Sequence, residues 1–302
     1  MNFKFTPTAP DAGALIQGKN WQPIVVADRR VVELHGAPFE APLVTFEPGE
    51  GSKCREVKAQ LEDEILALGP GRSTCIVGYG GGVALDLAGF IAATLHRGVH
   101  LAFIPTTLLA QVDACLGGKN GINTPLGKNL IGTLYHPKII CIDTKYLETL
   151  SQDQLRQGSA EMIKHALLAD PTLIGKPLKR DLILRNLEIK QSFIEGERDC
   201  LNFGHTVGHA IETLSNYTIS HGDAVLKGMW VEAILSGCDP PDFLDSKIPY
   251  SAQELFAVMR LDKKNTKGVV QISSLLAFGK PGPLKPITEE MLEHALSYAT
   301  AW

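Results

Sequence analysis

No apolar run in the chain approaches the ~20 residues that a membrane-spanning helix needs. The longest candidate, Val83 to Leu95, is too short and contains Asp86. The N-terminal stretch MNFKFTPTAP lacks the continuous apolar core of a secretion signal. Cys54, Cys75, Cys115, Cys141, Cys200 and Cys238 form no Cys-x-x-Cys pair. Scattered through a chain of 302 residues, they suit small buried thiols in a reducing compartment better than a disulfide framework. A cytoplasmic location is therefore expected. A basic excess is also missing: 29 Lys and Arg face 33 Asp and Glu, a net charge of −4. That excludes a protein working through a broad basic face on nucleic acid or a membrane surface. Aromatic residues are sparse at 7%, whereas glycines number 29, which points to an α/β enzyme rather than an all-β sandwich. The 44% hydrophobic content leaves ample side chain to bury, so disorder is not the main theme.

The first half alternates short β-like runs with helical stretches. Pro23–Ala27, Pro42–Phe46, Thr74–Val77, Leu101–Ile104 and Lys138–Ile142 read as strands. Residues 53–68 carry Val57, Leu61, Ile65 and Leu68 at helical spacing, and another helix opens at Val83. Such alternation predicts a Rossmann-like parallel sheet flanked by helices. After about residue 150 the β-like runs nearly vanish. Residues 151–170, 179–195, 204–215 and 222–236 read as helices, followed by a helix near 251–260, a β-like segment at 269–278 and a terminal helix opening near Thr288. Two domains are expected: 1–150, an α/β nucleotide-type domain, and 151–302, a mainly α-helical domain. The cleft between two such domains is the default place for an active site.

Three clusters carry chemistry. Gly80-Gly81-Gly82 sits between a strand and a helix, where glycines let the backbone approach a phosphate at a helix N-terminus. It is not the G-x-G-x-x-G fingerprint, and a structural tight turn accounts for it about as well. Asp86, one turn into that helix, suits either a solvated or capping role or a cofactor hydroxyl contact. In the second half, His205 and His209 are four apart and share a helix face, and His221 follows, making three histidines within 17 residues. Glu161 is a helical carboxylate in apolar company. These groups could build a metal site with an open position for substrate. Spacing alone does not choose the ligands, although an i, i+4 pair suggests both His205 and His209. Lys119 and Lys128 lie in a Gly- and Asn-rich loop, as lysines that bind an anionic, phosphorylated ligand do. Surface lysines are common, however, and Lys263 and Lys264 by themselves need no such explanation.

Together these segments resemble the 3-dehydroquinate synthase family of sugar-phosphate cyclases. The matching stretches are Pro48-Gly49-Glu50 with Lys53, GGGVALDLAGFIAATLHRG (80–98), IPTTLLAQVDACLGGKNGIN (104–123), PLGKNLIG (125–132), IDTKYLETL (142–150), AEMIKHALL (160–168), LNFGHTVGHAIE (201–212), HGDAVLKGM (221–229) and DKK (262–264). They fall in the family's order over roughly residues 25–280. The resemblance implies bound NAD and one divalent metal, usually zinc, with cobalt as the other candidate. By position the metal ligands are Glu161, His205 and His221, which makes His209 a substrate-side residue. NAD contacts map onto Asp28, Glu50, Lys53, Gly81, Gly82, Val83 and Asp86. Further along they map onto Thr106, Thr107, Asp113, Lys119, Lys128, Tyr146 and Thr149. Substrate contacts map onto Arg97, Asp113, Lys119, Asn129, Lys164, Lys190, Arg198, Asn202, His209 and, of the DKK lysines, Lys264.

The implied substrate is a small phosphorylated sugar acid, 3-deoxy-D-arabino-heptulosonate 7-phosphate. The implied chemistry is transient oxidation, phosphate β-elimination, re-reduction and intramolecular aldol closure to 3-dehydroquinate, a step of the shikimate pathway. A homodimer is expected from the same resemblance. The chain departs from the family pattern at Leu85, where a small residue or Gly is common, and at Asn120, where Thr is common. The stretches Ala169–Arg198 and Val231–Asp262 are shorter than usual. The alternatives are an inosose- or valiolone-type cyclase, a polyol dehydrogenase that releases NADH, and a non-catalytic homologue.

Overall fold

The computed structural model describes residues 3–261 and 269–299. In chain order the first half contains β1 (Lys4–Thr6), α1 (Ala9–Gln17), β2 (Gln22–Asp28), α2 (Arg29–His35), β3 (Leu43–Phe46), α3 (Arg55–Ala67), β4 (Thr74–Gly80), α4 (Gly82–Thr94), β5 (His100–Pro105), β6 (Lys119–Thr124), β7 (Gly127–Leu134) and β8 (Ile139–Cys141). The second half contains α5 (Gln152–Ala169), α6 (Arg180–Glu195), α7 (His205–Leu214), α8 (His221–Ser236), α9 (Ala252–Met259), β9 (Gln271–Ala277), β10 (Lys280–Pro286) and α10 (Glu289–Leu296). The chain divides into two compact units: Met1–Leu155 with Leu178–Leu187, and Arg156–Pro177 with Glu188–Trp302. The return of Leu178–Leu187 to the first unit is a feature that a single boundary near residue 150 does not express.

The first unit is built on a six-stranded sheet in the order β1-β8-β5-β4-β2-β3, parallel at every pairing. A parallel sheet is covered on both faces, so its strands are apolar throughout rather than alternating. All seven residues of β4 are buried, as are four of the seven in β2. That is why these runs are legible in the sequence. From β2 the chain moves to β3 on one side; from β4 it moves to β5 on the other. Adjacent strands whose connections diverge leave a crevice outside their carboxyl ends, where open α/β sheets bind ligands. Asp28 ends β2, and Gly80 ends β4.

Several elements differ from expectation. The strand β1 and the helices α1 and α2 were not anticipated. Of the expected apolar face on α3, Leu61 and Ile65 are buried, but Leu68 stands outside, 49% exposed. The stretch around Lys119 and Lys128 is not a loop: it forms the antiparallel hairpin β6–β7, with Lys119 opposite Leu134 and Thr124 opposite Gly127. Its glycines allow close backbone approach, since a Cβ on Gly132 would lie 2.1 Å from the Asn120 carbonyl oxygen. Asn120 is buried and donates its amide to the carbonyls of Gly118 (2.8 Å) and Tyr135 (2.9 Å). Gly89 on α4 makes room for it, because a Cβ there would sit 1.8 Å from Asn120 Oδ1. Leu85 points into the core at 2% exposure.

The second unit is mainly helical, and its observed helices fall within a residue or so of the expected spans. The expected β-like segment is β9. It pairs with β10, whose three prolines hide it from a strand pattern. At the centre, α7 packs on α8 at unusually close range. A Cβ on Gly228 would lie 2.0 Å from the Gly204 carbonyl oxygen, and one on Gly208 would lie 3.0 Å from that of Ala224. Gly204 itself holds φ +78°, a left-handed conformation at the N-cap of α7.

Candidate active site

The most concentrated chemistry lies on α5, α7 and α8 of the second unit. Glu161, 1% exposed on α5, forms an ion pair with Lys164, one turn further on and also buried. His205 is the first residue of α7 and His221 the first of α8. Both turn Nε2 toward one oxygen of Glu161: His205 Nε2 is 3.3 Å and His221 Nε2 3.6 Å from Oε1. Each ring has a partner on its other nitrogen. The Phe203 carbonyl lies 3.1 Å from His205 Nδ1, and Glu212 Oε2 lies 3.3 Å from His221 Nδ1. A proton on each Nδ1 satisfies those acceptors and leaves the Nε2 lone pairs facing a carboxylate oxygen.

That convergence of acceptors suits a cation. A tetrahedral zinc with bonds of about 2.0–2.2 Å sets neighbouring ligand atoms about 3.3–3.6 Å apart, and the observed separations of 3.3 and 3.6 Å match. Glu161, His205 and His221 form one of the groups whose donor atoms all lie within 4.8 Å of each other. Outer partners that orient each imidazole are the usual accompaniment of metal-binding histidines. The residues present thus fit a divalent metal. Without one, the electrostatics compensate locally. Burial opposes ionisation of Glu161, but the charges of Lys164 and His205 outweigh it and hold the carboxyl well below its ordinary range. Burial likewise opposes the charged form of His221, yet hydrogen bonds to Glu161 and Glu212 push its pKa up to about 10. Burial and the charge of Lys164 instead lower His205.

His209 lies one turn beyond His205, ring centroids 5.4 Å apart. Among the described residues, no possible metal-holding group contains both His205 and His209. The geometry does not reproduce the ligand pair that their spacing suggests. An i, i+4 pair can share a metal, but here His205 groups with Glu161 and His221, whereas His209 groups with Glu212 and His221.

A second set of residues gathers at the carboxyl edge of the sheet in the first unit. Gly81, Gly82 and Val83 open α4, with Gly81 at the N-cap. A Cβ on Gly80, which holds φ +151°, would meet Ala84 Cβ at 2.6 Å and Asp28 Cβ at 3.3 Å, so only glycine permits this turn beside β2. Asp28 caps α2 by accepting from Arg30 N–H at 2.9 Å, and burial raises its pKa. Thr106 N–H donates to the Gly80 carbonyl at 2.9 Å, and Thr107 Oγ1 accepts from Ala110 N–H at 3.1 Å. Asp113 sits in the widened turn Ala110–Ala114, where Cys115 N–H bonds back five residues to the Ala110 carbonyl; such π-turns often mark functional positions. Asp86 forms an ion pair with the buried Lys53 and accepts from Gly121 N–H at 3.1 Å. Burial nevertheless leaves its pKa raised, against the influence of Lys53.

Asn123, the last residue of the 104–123 motif, ties this set together, a role that its place in the motif does not reveal. Its N–H donates to the Lys53 carbonyl (2.7 Å), its side-chain amide donates to Glu50 Oε1 (2.7 Å), and its Oδ1 accepts from Asn129 N–H (3.0 Å). Asn129 needs that support, since it holds φ +56°. Asn123→Ala is expected to remove two side-chain hydrogen bonds, one of them to a carboxylate. About 1–3 kcal/mol of local stabilisation goes with them, checked by faster amide exchange across the hairpin with little change in the second unit.

The remaining sequence candidates are more dispersed. Lys119 and Lys128 are exposed on the hairpin. Tyr146 is buried in the core of the first unit, edge-on to Tyr79 at 5.6 Å, and Thr149 Oγ1 lies 3.0 Å from His35 Nε2. Lys190 is buried on α6; Arg198 and Asn202 bound the short helical turn before α7. Lys264 lies outside the described residues. Arg97 is exposed after the C-terminus of α4, just before β5 begins. The 13-residue helix α4 separates it by about 20 Å from the glycine turn. Arg97 and Gly81 therefore occupy opposite edges of the same sheet and do not meet within one chain. Glu212 and Glu232 are two further carboxylates near these histidines. Glu212 stands seven residues after His205 on the same helical face, a signal that was available.

A doubly wound sheet carrying a glycine turn, followed by a mainly helical unit, is a fold that sugar-phosphate cyclases share with an iron-containing alcohol dehydrogenase, which matches at a TM-score of 0.62 and 15% identity. The fold matches that of 2-deoxy-scyllo-inosose synthase, solved with carbaglucose-6-phosphate, NAD+ and Co2+, at a TM-score of 0.82 and 24% identity, over 99% of this chain and 96% of that one. Residues 43–157 match the family model for the 3-dehydroquinate synthase N-terminal region and 158–267 that for the C-terminal region. The chain belongs to the 3-dehydroquinate synthase family. It is 38% identical to the 3-dehydroquinate synthase of Corynebacterium jeikeium over 87% of this chain and 80% of that protein. It is equally 38% identical to that of Pyrococcus abyssi, over 88% and 87%.

Proposed function

We propose that the chain performs the reaction for which its family is named, converting 3-deoxy-D-arabino-heptulosonate 7-phosphate to 3-dehydroquinate and inorganic phosphate, a carbon–oxygen lyase reaction of the shikimate pathway. The observation that carries this reading is the convergence of the half-buried His205 and His221 on the buried Glu161, beside the buried Lys164. When bound, NAD takes up and returns a substrate hydride, and a divalent ion, zinc or cobalt, polarises the substrate hydroxyl oxygens. Glu161, His205 and His221 would hold the ion, while the Phe203 carbonyl and Glu212 face each Nδ1 and favour the tautomer that leaves Nε2 free to ligate.

The other residues bind and orient. Gly81, Gly82 and Val83 offer backbone N–H groups to the cofactor pyrophosphate. Asp28 faces ribose hydroxyls from the end of β2. Glu50, Lys53, Asp86, Thr106, Thr107, Asp113, Lys119, Lys128, Tyr146 and Thr149 complete the cofactor surroundings. Lys119, Lys164, Lys190, Arg198 and Asn202 hold the substrate carboxylate and hydroxyls as point charges and donors. Asn129, His209 and Lys264 hold the phosphate close to the C–H from which it takes a proton. Arg97 lies at the opposite end of α4 from the glycine turn, and we assign its substrate contact to a second copy of the chain in a homodimer. Catalysis here is positioning and electrostatic stabilisation.

Among the described residues no helix is long and apolar enough to cross a membrane, and we place the reaction in the cytoplasm. The test is phosphate release from the heptulosonate phosphate with and without chelator. Release that stops on chelation, with no net NADH, is the expected result. Absence of chelator-sensitive release overturns the reading, and accumulating NADH points instead to a polyol dehydrogenase. Release only from a hexose or sedoheptulose phosphate assigns the chain to the inosose or valiolone type.

A further inference from the structure

The metal-facing residue His205 sits at the mouth of a helix that has no side-chain cap of its own. The N-cap of α7 is Gly204 in a left-handed conformation, so the first turn lacks the usual Ser, Thr or Asp acceptor. Its donors are instead satisfied from outside. Glu232, fully buried on α8, accepts from Gly204 N–H through Oε2 at 2.8 Å. Its Oε1 accepts from Thr206 N–H at 3.0 Å and Val207 N–H at 3.1 Å. A carboxylate spanning the N–H groups on both sides of His205 combines charge-assisted hydrogen bonds with the positive end of the helix dipole.

The placement of Glu232 links the two imidazoles. His221 opens α8, and Glu232 lies 11 residues later on the same helix, close to three turns of about 3.6 residues each, so both project from one face. One rigid helix therefore carries His221 at its start and, through Glu232, grips the start of the helix that carries His205. The contact between these helices is made by glycines: Gly228 lies against Gly204, and Gly208 against Ala224. Around that contact Val207, Ile211, Val225 and Met229 pack in one apolar cluster, which is non-directional. The bidentate carboxylate adds a directional hold on the first turn of α7.

We infer that Glu232 is a positioning residue for the metal centre: it sets the distance between His205 Nε2 and His221 Nε2 by clamping the first turn of α7 to α8. This rests on the proposal that both histidines hold the metal. The experiment compares zinc affinity of the full-length wild-type chain and Glu232→Gln by competition with a chromophoric chelator, alongside thermal unfolding of both metal-free proteins. The Gln amide keeps one acceptor but turns an NH2 toward a backbone N–H. Zinc affinity is expected to fall by about 10–100-fold, the range for outer residues that orient metal ligands. Leu244→Ala, a cavity in the core of the same unit, controls for general destabilisation and is expected to lower the melting temperature with zinc affinity unchanged. Should Glu232→Gln not fold, Glu232→Asp keeps the charge but withdraws it by one methylene, and a fall in its zinc affinity is again expected. Wild-type affinity in the folded Glu232 variant overturns the inference, as does an equal fall in Leu244→Ala. Failure of the wild-type chain itself to bind zinc overturns the underlying metal assignment instead.

Discussion

His205→Ala is expected to lose both bound metal and turnover, whereas His209→Ala retains metal and turns over slowly. His205 presents Nε2 to Glu161 Oε1 at 3.3 Å and is oriented by the Phe203 carbonyl. Its removal takes away one of three converging donors, so the fall in metal affinity should exceed the 10–100-fold typical of an outer residue. His209 belongs to no donor group containing Glu161 or His205 among the described residues. Losing its proposed contact to a charged phosphate costs about 1.5–3 kcal/mol, or about 10–150-fold in kcat/KM. Metal analysis of the two purified variants separates these outcomes. Loss of metal from both restores the i, i+4 pair that spacing suggests, and retention by both removes His205 from the ligand set.

Gly228→Ala is expected to be the most damaging conservative change in the second unit. The added Cβ would lie 2.0 Å from the Gly204 carbonyl oxygen and 2.8 Å from Gly208 N. Both obstacles are backbone, so no side-chain rotation relieves them; α7 and α8 must separate. Overpacking of this kind costs about 3 kcal/mol or more, a fall in melting temperature of roughly 10 °C for a unit of this size. Because His205 and His221 stand at the starts of those helices, metal affinity should fall with stability. Gly71→Ala is the control: a Cβ there meets nothing within 4 Å, and both quantities should be unchanged. Differential scanning calorimetry with metal titration checks the pair, and a wild-type melting temperature in Gly228→Ala refutes the expectation.

The two-part architecture and most element positions were legible because burial dictates composition. A parallel strand covered on both faces, such as β4 or β5, must be apolar throughout. Helices such as α6 and α7 announce themselves by periodicity, whereas α8, with twelve of its sixteen residues buried, is apolar nearly all round. The elements that escaped are those whose stability is not recorded in apolar pattern. The β6–β7 hairpin is rich in Gly and Asn, and its outer strand is largely exposed. Its strands pair with each other across a two-residue turn, and its seat depends on Gly89 of the distant helix α4 making room for Asn120. Strand β10 is masked by Pro281, Pro283 and Pro286, which a two-stranded sheet tolerates because half its backbone donors face outward.

Sequence by itself determined the family, the residue types of the site and the helices that carry them. Ordered motifs from residue 80 to residue 229 allow little else. The resemblance already implied Glu161, His205 and His221 as one set; spacing did not, and the tertiary structure shows why they can meet. Glu161 meets His205 and His221 because α5, α7 and α8 cross at glycine contacts, whereas His209 falls in a neighbouring group with Glu212 and His221. The fold likewise removed Arg97 from the glycine turn, about 20 Å along α4, and brought Asn123 and Glu232 into roles that no spacing records. Spacing fixes direction along one element, but a site is the intersection of several, and their relative placement is set by packing between residues far apart in the chain.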